Sequence, residues 1–164
     1  EYTRTQIGCL LHVNMLYSDL TIRENLEFVA GLFGIENISK SVNDIGNTFE
    51  LGRIMDIRIS YLSHGQARRA AIAKAFIHKP KLLLLDEPES GLDTTSLELL
   101  HAETNRLRSI GTTVLMTSHS FSTTNNICDR VIILNSSKII GDKKLNETSS
   151  SEINHLISKR VIGQ

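Results

Sequence analysis

Apolar positions change their spacing twice along the chain. Leu26, Val29, Ala30 and Phe33 recur at helical intervals, behind Thr21 as N-cap and Glu24 as its capping-box partner, up to Gly34 as C-cap. A second, weaker helix is predicted from Ser41 to Leu51, ended by Gly52. Ser63 starts a third, which runs through an alanine-rich stretch to about His78 and stops before Pro80. From Lys81 the pattern turns to strands. Leu82 to Leu85 is a continuous aliphatic run, as expected of a strand buried on both faces of a parallel sheet. A helix from Thr94 to Ser109, closed by Gly111, leads into a β-branched strand, Thr112 to Thr117. A short helical stretch is predicted at Thr123 to Ile127, then strands at Val131 to Leu134 and Ser137 to Gly141. Thr5 to Leu10 reads as an opening strand. Strands alternating with helices imply right-handed crossovers and an α/β fold with a mostly parallel sheet. Residues 146–164 are polar apart from Ile153, Leu156 and Ile157 and read as a loose C-terminal extension.

Composition narrows the setting. At 164 residues, 40% hydrophobic and 22% charged, the chain can bury the core of one domain. Eighteen Lys and Arg balance eighteen Asp and Glu, so no basic field recruits nucleic acid, and none is expected as a partner. The longest aliphatic run is too short to span a bilayer, so work at a membrane requires another component to do the spanning. Residues 1–10 show no signal-peptide pattern. Cys9 and Cys128 lie far apart with no Cys-x-x-Cys pair, and read as buried thiols of a reduced, cytosolic chain.

Four features carry candidate chemistry. The aliphatic run ends abruptly in Asp86, Glu87 and Pro88. Ligands of open α/β sheets sit beyond the carboxyl ends of the strands, where paired acids could hold a cation or activate water. Solvated acids at an ordinary strand end are the plain alternative. Ser63, His64, Gly65 and Gln66 open a helix whose first N–H groups point outward, an arrangement suited to phosphate, although a simple helix cap explains it too. Ser90, Gly91, Leu92 and Asp93 form a tight turn just after the acids. His119 follows the strand at 112–117, at the sheet edge that carries Asp86 and Glu87; a lone histidine is more often structural.

Together these features appear in one order with close spacing. Residues 61–93, YLSHGQARRAAIAKAFIHKPKLLLLDEPESGLD, resemble the heart of an ABC ATPase: signature, connecting helix, Walker B and D-loop. TTVLMTSH, ending at His119, resembles the strand leading to the switch histidine. The resemblance covers roughly residues 5–141 and implies a P-loop NTPase-like core with an inserted α-helical subdomain. Residues 1–12 and 79–145 would form the core, 13–78 the helical subdomain with the signature helix, and 146–164 the extension. It further implies ATP and Mg²⁺ as ligands. Asp86 resembles the Mg²⁺ aspartate, Glu87 the glutamate that polarises the attacking water, and His119 the histidine at the γ-phosphate. Ser63, Gly65 and Gln66 resemble the signature, which binds the γ-phosphate of ATP held by a second nucleotide-binding domain in a head-to-tail dimer. Asp93 resembles the D-loop aspartate that lines the dimer interface. Such a domain works at the cytoplasmic face of the membrane, docked to a transmembrane permease domain or subunit. Phosphoryl transfer needs positioning and charge neutralisation more than covalent chemistry, which suits this residue set.

Two positions depart from the family pattern. His64 stands where a glycine is commonest, with a solvent-facing side chain expected. His12, within IGCLLHVNMLYSDLTIRENLEF, stands where the Q-loop glutamine is usual. Imidazole is a softer ligand than an amide oxygen, so direct contact of His12 with Mg²⁺ is not expected. Histidine here followed by L-Y-x-D-L-T-x-x-E-N-L is similar to haem-exporter ATPases of cytochrome c maturation, and also to drug-type exporters. A soluble ABC ATPase of DNA maintenance or translation is a different class of reading. Only fifty residues separate His12 from Ser63, with no heptad run and no basic linker, which disfavours it. A degenerate, non-hydrolysing domain is disfavoured by the presence of Asp86, Glu87 and His119. No G-x-x-x-x-G-K-S/T occurs in the sequence, which opens on Glu1 rather than Met. The expectation is an N-terminally incomplete domain, with negligible ATP affinity on its own, an uncovered sheet face or edge and marginal solubility.

Overall fold

The computed structural model describes residues 4–121, 125, 127–149, 151–153 and 155–157. The chain divides into two compact units, Glu1–Ser118 and His119–Gln164.

In the first unit three strands, β1 (Ile7–Leu10), β2 (Leu82–Asp86) and β3 (Thr113–Thr117), lie side by side in chain order. Both pairings are parallel. Thr5 and Gln6, expected in the first strand, belong instead to a 3₁₀ turn, Arg4–Gln6. Three helices, α1 (Ile22–Leu32), α2 (Ile38–Thr48) and α3 (His64–Phe76), connect β1 to β2, and α4 (Thr94–Ser109) connects β2 to β3.

The helix starts follow local chemistry. Thr21 and Glu24 form the predicted capping box, each side chain accepting the other's backbone N–H at 3.1 and 2.8 Å. The second helix begins three residues earlier than predicted because Asn37, rather than Ser41, caps it through the Lys40 N–H. Its end, Phe49, packs edge-on against Phe76 of α3 at 5.6 Å. Alanines let α3 sink into the core on most sides: Ala70, Ala71, Ala73 and Ala75 are all buried. β1 passes so close to α3 that a Cβ on Gly8 would lie 2.4 Å from the Ala75 carbonyl oxygen.

Strand β2 corrects one expectation. Leu83 and Leu85 are buried with Leu10 in the cluster that includes the helices, while Leu82 and Leu84 are only half-buried. The register places Cys9, Leu84 and Leu115 in one row on the other face. Cys9 there is exposed rather than buried, and Leu115 is 62% exposed. The helices of this unit thus cover one face of the sheet, and the aliphatic run reflects strand composition rather than burial on both sides.

The second unit holds a hairpin, β4 (Arg130–Asn135) with β5 (Lys138–Lys144), paired antiparallel. The predicted strands at 131–134 and 137–141 therefore pair with each other and form a sheet of their own. Ser136 and Ser137, with φ of 45° and 61°, make the two-residue turn whose twist suits a hairpin. Residues 151–153 and 155–157 are helical. Ile153 is fully buried, and Leu156 lies close to Gly141 of β5, so part of the expected loose extension is packed. Of the helical stretch expected at 123–127, Thr123, Thr124 and Asn126 lie outside the described residues.

Candidate functional site

Parallel pairing brings the carboxyl ends of all three strands to one edge. Leu10 is opposite Leu85, and Asp86 is opposite Thr117, so His12, Asp86 and Thr117 leave the sheet on the same side. Asp86 closes β2. Glu87 follows with φ of 43°, the left-handed region that a non-glycine residue occupies at a cost of about 1–3 kcal/mol.

Two side chains hold this turn. The Thr117 hydroxyl donates to Asp86 Oδ1 at 2.6 Å and accepts from the Glu87 N–H at 3.0 Å. From the other side, Arg68 of α3 donates through Nη2 to the carbonyls of Asp86 and Glu87, at 3.1 and 2.9 Å. Arg68 is 2% exposed. Burial lowers its pKa, against the attraction of Asp86, Glu89 and Glu87, yet a guanidinium stays charged. Among the described residues Asp86 Oδ2 accepts no hydrogen bond, which leaves one hard carboxylate oxygen with a fixed orientation. This donor fits Mg²⁺, an ion held by one or two carboxylates together with waters and substrate phosphates. The absence of a cluster of three metal-binding side chains among the described residues is compatible with that mode.

The start of α3 lies beside the turn after Glu87. Ser63 and Gln66 form a capping box: Ser63 Oγ accepts the Gln66 N–H at 3.3 Å, and Gln66 Oε1 accepts the Ser63 N–H at 3.0 Å. The N–H groups of His64 and Gly65 have no acceptor among the described residues, as expected of a first helical turn open to an anion. The Gln66 amide oxygen is engaged, so its NH₂ group is the part available to such an anion. A Cβ on Gly65 would lie 3.3 Å from the Gly91 carbonyl oxygen, and one on Gly91, where φ is 76°, would lie 2.8 Å from the His64 ring. His64 is exposed but not directed wholly to solvent, because its imidazole lies along the Gly91 turn.

Asp93 ends that turn and caps α4, accepting the Ser96 N–H at 2.8 Å; the hydrogen bonds from Ser96 hold its pKa below the ordinary carboxylate value. His12 is exposed in the bend after β1. Ser118 donates its hydroxyl to Glu89 Oε1. His119, exposed, opens the second unit. The first unit thus brings Ser63, Gly65 and Gln66 to the turn that joins Glu87 to Asp93, with Asp86 held behind it.

Sequence reasoning missed Arg68 and Thr117. Thr117 could have been found, because it ends a strand at the level of Asp86. Arg68 precedes a second arginine in a polar-looking helical turn, and nothing in its spacing separates a buried guanidinium from a solvated one.

A three-stranded parallel core with acids at its carboxyl edge and an anion-ready helix start defines an α/β nucleotide-binding architecture. A family model described as "ABC transporter" matches residues 1–90, and the chain belongs to that family as an ABC ATP-binding domain with a P-loop NTPase-like fold. Among curated proteins it is 31% identical to the ABC transporter ATP-binding protein NatA of Bacillus subtilis (strain 168), over 90% of this chain and 62% of that protein. It is 33% identical to the Nod factor export ATP-binding protein I of Bradyrhizobium diazoefficiens, over 86% of this chain and 47% of that protein. The chain thus spans about half to three-fifths of the length of these relatives. A solved ATP-binding subunit of an ABC transporter superposes with a TM-score of 0.85, at 23% identity, over 94% of this chain and 69% of that one. A dimeric ATP-binding cassette in a post-hydrolysis state, bound to ADP and Pi, superposes with a TM-score of 0.77, at 26% identity, over 85% of this chain and 63% of that one. The export relative is named for Nod factor, and the haem-exporter alternative is not favoured.

Proposed function

We propose that the whole protein binds and hydrolyses ATP to drive a substrate across a membrane, and that this chain supplies its hydrolytic residues. The observation that carries the reading is the Asp86–Glu87 pair at the carboxyl end of β2, fixed by Thr117 on one side and Arg68 on the other. Such preorganisation is what phosphoryl transfer asks of a protein, since the chemistry depends on position and charge. Asp86 would hold Mg²⁺ through Oδ2, and the ion would supply neutralisation of phosphate charge. Glu87 orients the attacking water and accepts its proton. Ser63, the His64 and Gly65 N–H groups and the Gln66 NH₂ face the γ-phosphate of ATP bound on a second, head-to-tail nucleotide-binding domain. Asp93 lines that interface, and His119 contacts the γ-phosphate. His12 marks the segment through which a transmembrane permease partner acts; its imidazole is a poor Mg²⁺ ligand. No helix among the described residues is long and apolar enough to cross a membrane, which accords with peripheral docking on the cytoplasmic face. The 164-residue chain alone binds ATP negligibly on this reading, since the sequence holds no phosphate-loop motif.

The test is Glu87→Gln in the whole protein. Hydrolysis is expected to fall by about 100-fold or more while ATP still drives dimerisation, read by phosphate release and light scattering. Unchanged turnover would remove Glu87 from the catalytic role.

A further inference from the structure

Arg68 reaches more than the acidic turn. While Nη2 holds the carbonyls of Asp86 and Glu87, Nη1 donates to the Leu11 carbonyl at 2.7 Å and to Asn14 Oδ1 at 3.2 Å. One buried guanidinium therefore joins two segments far apart in sequence, the stretch after β1 and the stretch after β2. Lys74, six residues further along α3, reinforces the first of these, with Nζ donating to the carbonyls of Asn14 and Met15 at 3.1 and 2.8 Å. Met15 sits at φ of 48°, so both segments held by α3 contain a residue in the left-handed region. Such conformations persist where the surroundings over-determine them.

We propose that Arg68 is a positioning residue that sets the Glu87 backbone from the 11–15 segment, so that displacement of that segment is felt at Glu87 through one side chain. The inference rests on the proposed role of Glu87 in hydrolysis.

The physical reason is the fork of the guanidinium. Its Nη1 and Nη2 groups lie in one rigid plane, so a shift of Leu11 and Asn14 rotates the donors that hold the Asp86 and Glu87 carbonyls. Among the described residues its Nε is buried without a hydrogen-bond partner, so no further hydrogen bond anchors the plane on that side. A loss of the Leu11 and Asn14 acceptors would leave donors of a buried cation unpaired, a state costly enough to force rearrangement. Lysine carries the charge but not the fork, and cannot serve both segments in the same geometry.

Arg68→Lys in the whole protein is the decisive variant, with Asn14→Ala as the milder one that leaves the cation and the acidic turn intact. We expect kcat for ATP hydrolysis to fall by about 100-fold in Arg68→Lys, the scale set by small misplacements of a catalytic group. KM for ATP is expected to change less than about twofold, because no substrate-binding group is removed. Asn14→Ala should lower kcat in the same sense, by about 3-fold to 10-fold, with KM and melting temperature held. Hydrogen exchange should rise together at the amides of 12–16 and 87–91 in Arg68→Lys. A kcat unchanged in both variants, in a wild type that hydrolyses ATP, overturns the inference. So does a loss in KM alone, or exchange that rises at only one of the two segments. A wild type without hydrolysis, still unable after Mg²⁺ and ATP are supplied, instead overturns the functional reading.

Discussion

Glu87 and His78 show how single residues depart from their ordinary states. Glu87 is held in the left-handed region by bonds at its N–H and its carbonyl, so the turn is fixed without glycine. His78 stacks on Phe33 with ring centroids 3.8 Å apart, and its Nε2 meets the Ile7 carbonyl at 3.1 Å. A neutral ring donating from Nε2 leaves Nδ1 buried without a hydrogen-bond partner among the described residues. Burial lowers the pKa of His78, only partly opposed by the Ile7 carbonyl. The unfolded chain therefore takes up a proton near pH 6.5 that the folded chain resists, so the contribution is fully present above about pH 6.5 and is lost as pH falls toward the folded value. His101 is shifted the same way, by burial against the pull of Glu89. Urea unfolding at about pH 7.5 and pH 5 should show stability falling with acid, and less steeply in His78→Phe, which keeps the ring contact. An unaltered slope in that variant would assign the dependence to other groups.

At the scale of elements, α3 links packing to chemistry. Its capped start stands beside the turn that carries Gly91, its fifth residue, Arg68, reaches the Asp86 and Glu87 carbonyls, and its alanines allow β1 to approach. Gly8→Ala tests that approach. The added Cβ would meet Ala75 O, Pro80 Cγ and Leu83 Cδ1 at 2.4, 2.8 and 2.9 Å, and two of these belong to backbone or a rigid ring. Destabilisation of about 1–3 kcal/mol is expected in thermal or denaturant unfolding, and hydrolysis should fall with it because β1 leads directly to residues 11–15. A variant as stable as wild type would mean that β1 shifts freely. The elements themselves were largely legible. Thr21 and Ser63 cap where their side chains can satisfy the first N–H groups, and those rules are local. The start of α2 was misread because Asn37 and Ser41 are both competent caps, and only the packing of Val42, Ile45 and Phe49 selects between them.

In the first unit, the partly exposed row of Cys9, Leu84 and Leu115 departs from the expectation that the aliphatic strand is buried on both faces. An aliphatic run reads alike whether one face or two are covered, since periodicity records residue type and not neighbours. Exposed apolar rows favour association. Leu115→Lys should therefore raise the concentration at which the 164-residue chain stays monomeric in light scattering, with little change in unfolding free energy. Equal association in the variant would direct attention to another surface, such as the hairpin residues Leu134 and Ile139, which are also exposed.

The sequence by itself determined the order of strands and helices, the caps at Thr21 and Ser63, and the positions of Ser63, Gly65, Gln66, Asp86, Glu87 and Asp93, because these depend on neighbours within a few residues. Tertiary structure alone decided that Thr117 orients Asp86, that Arg68 spans from Leu11 to Glu87, that Lys74 holds Met15, and which sheet face is covered. Those contacts join residues nineteen or more positions apart, and a buried arginine has the same local sequence as an exposed one. Its burial follows only from carbonyls that the fold brings to it.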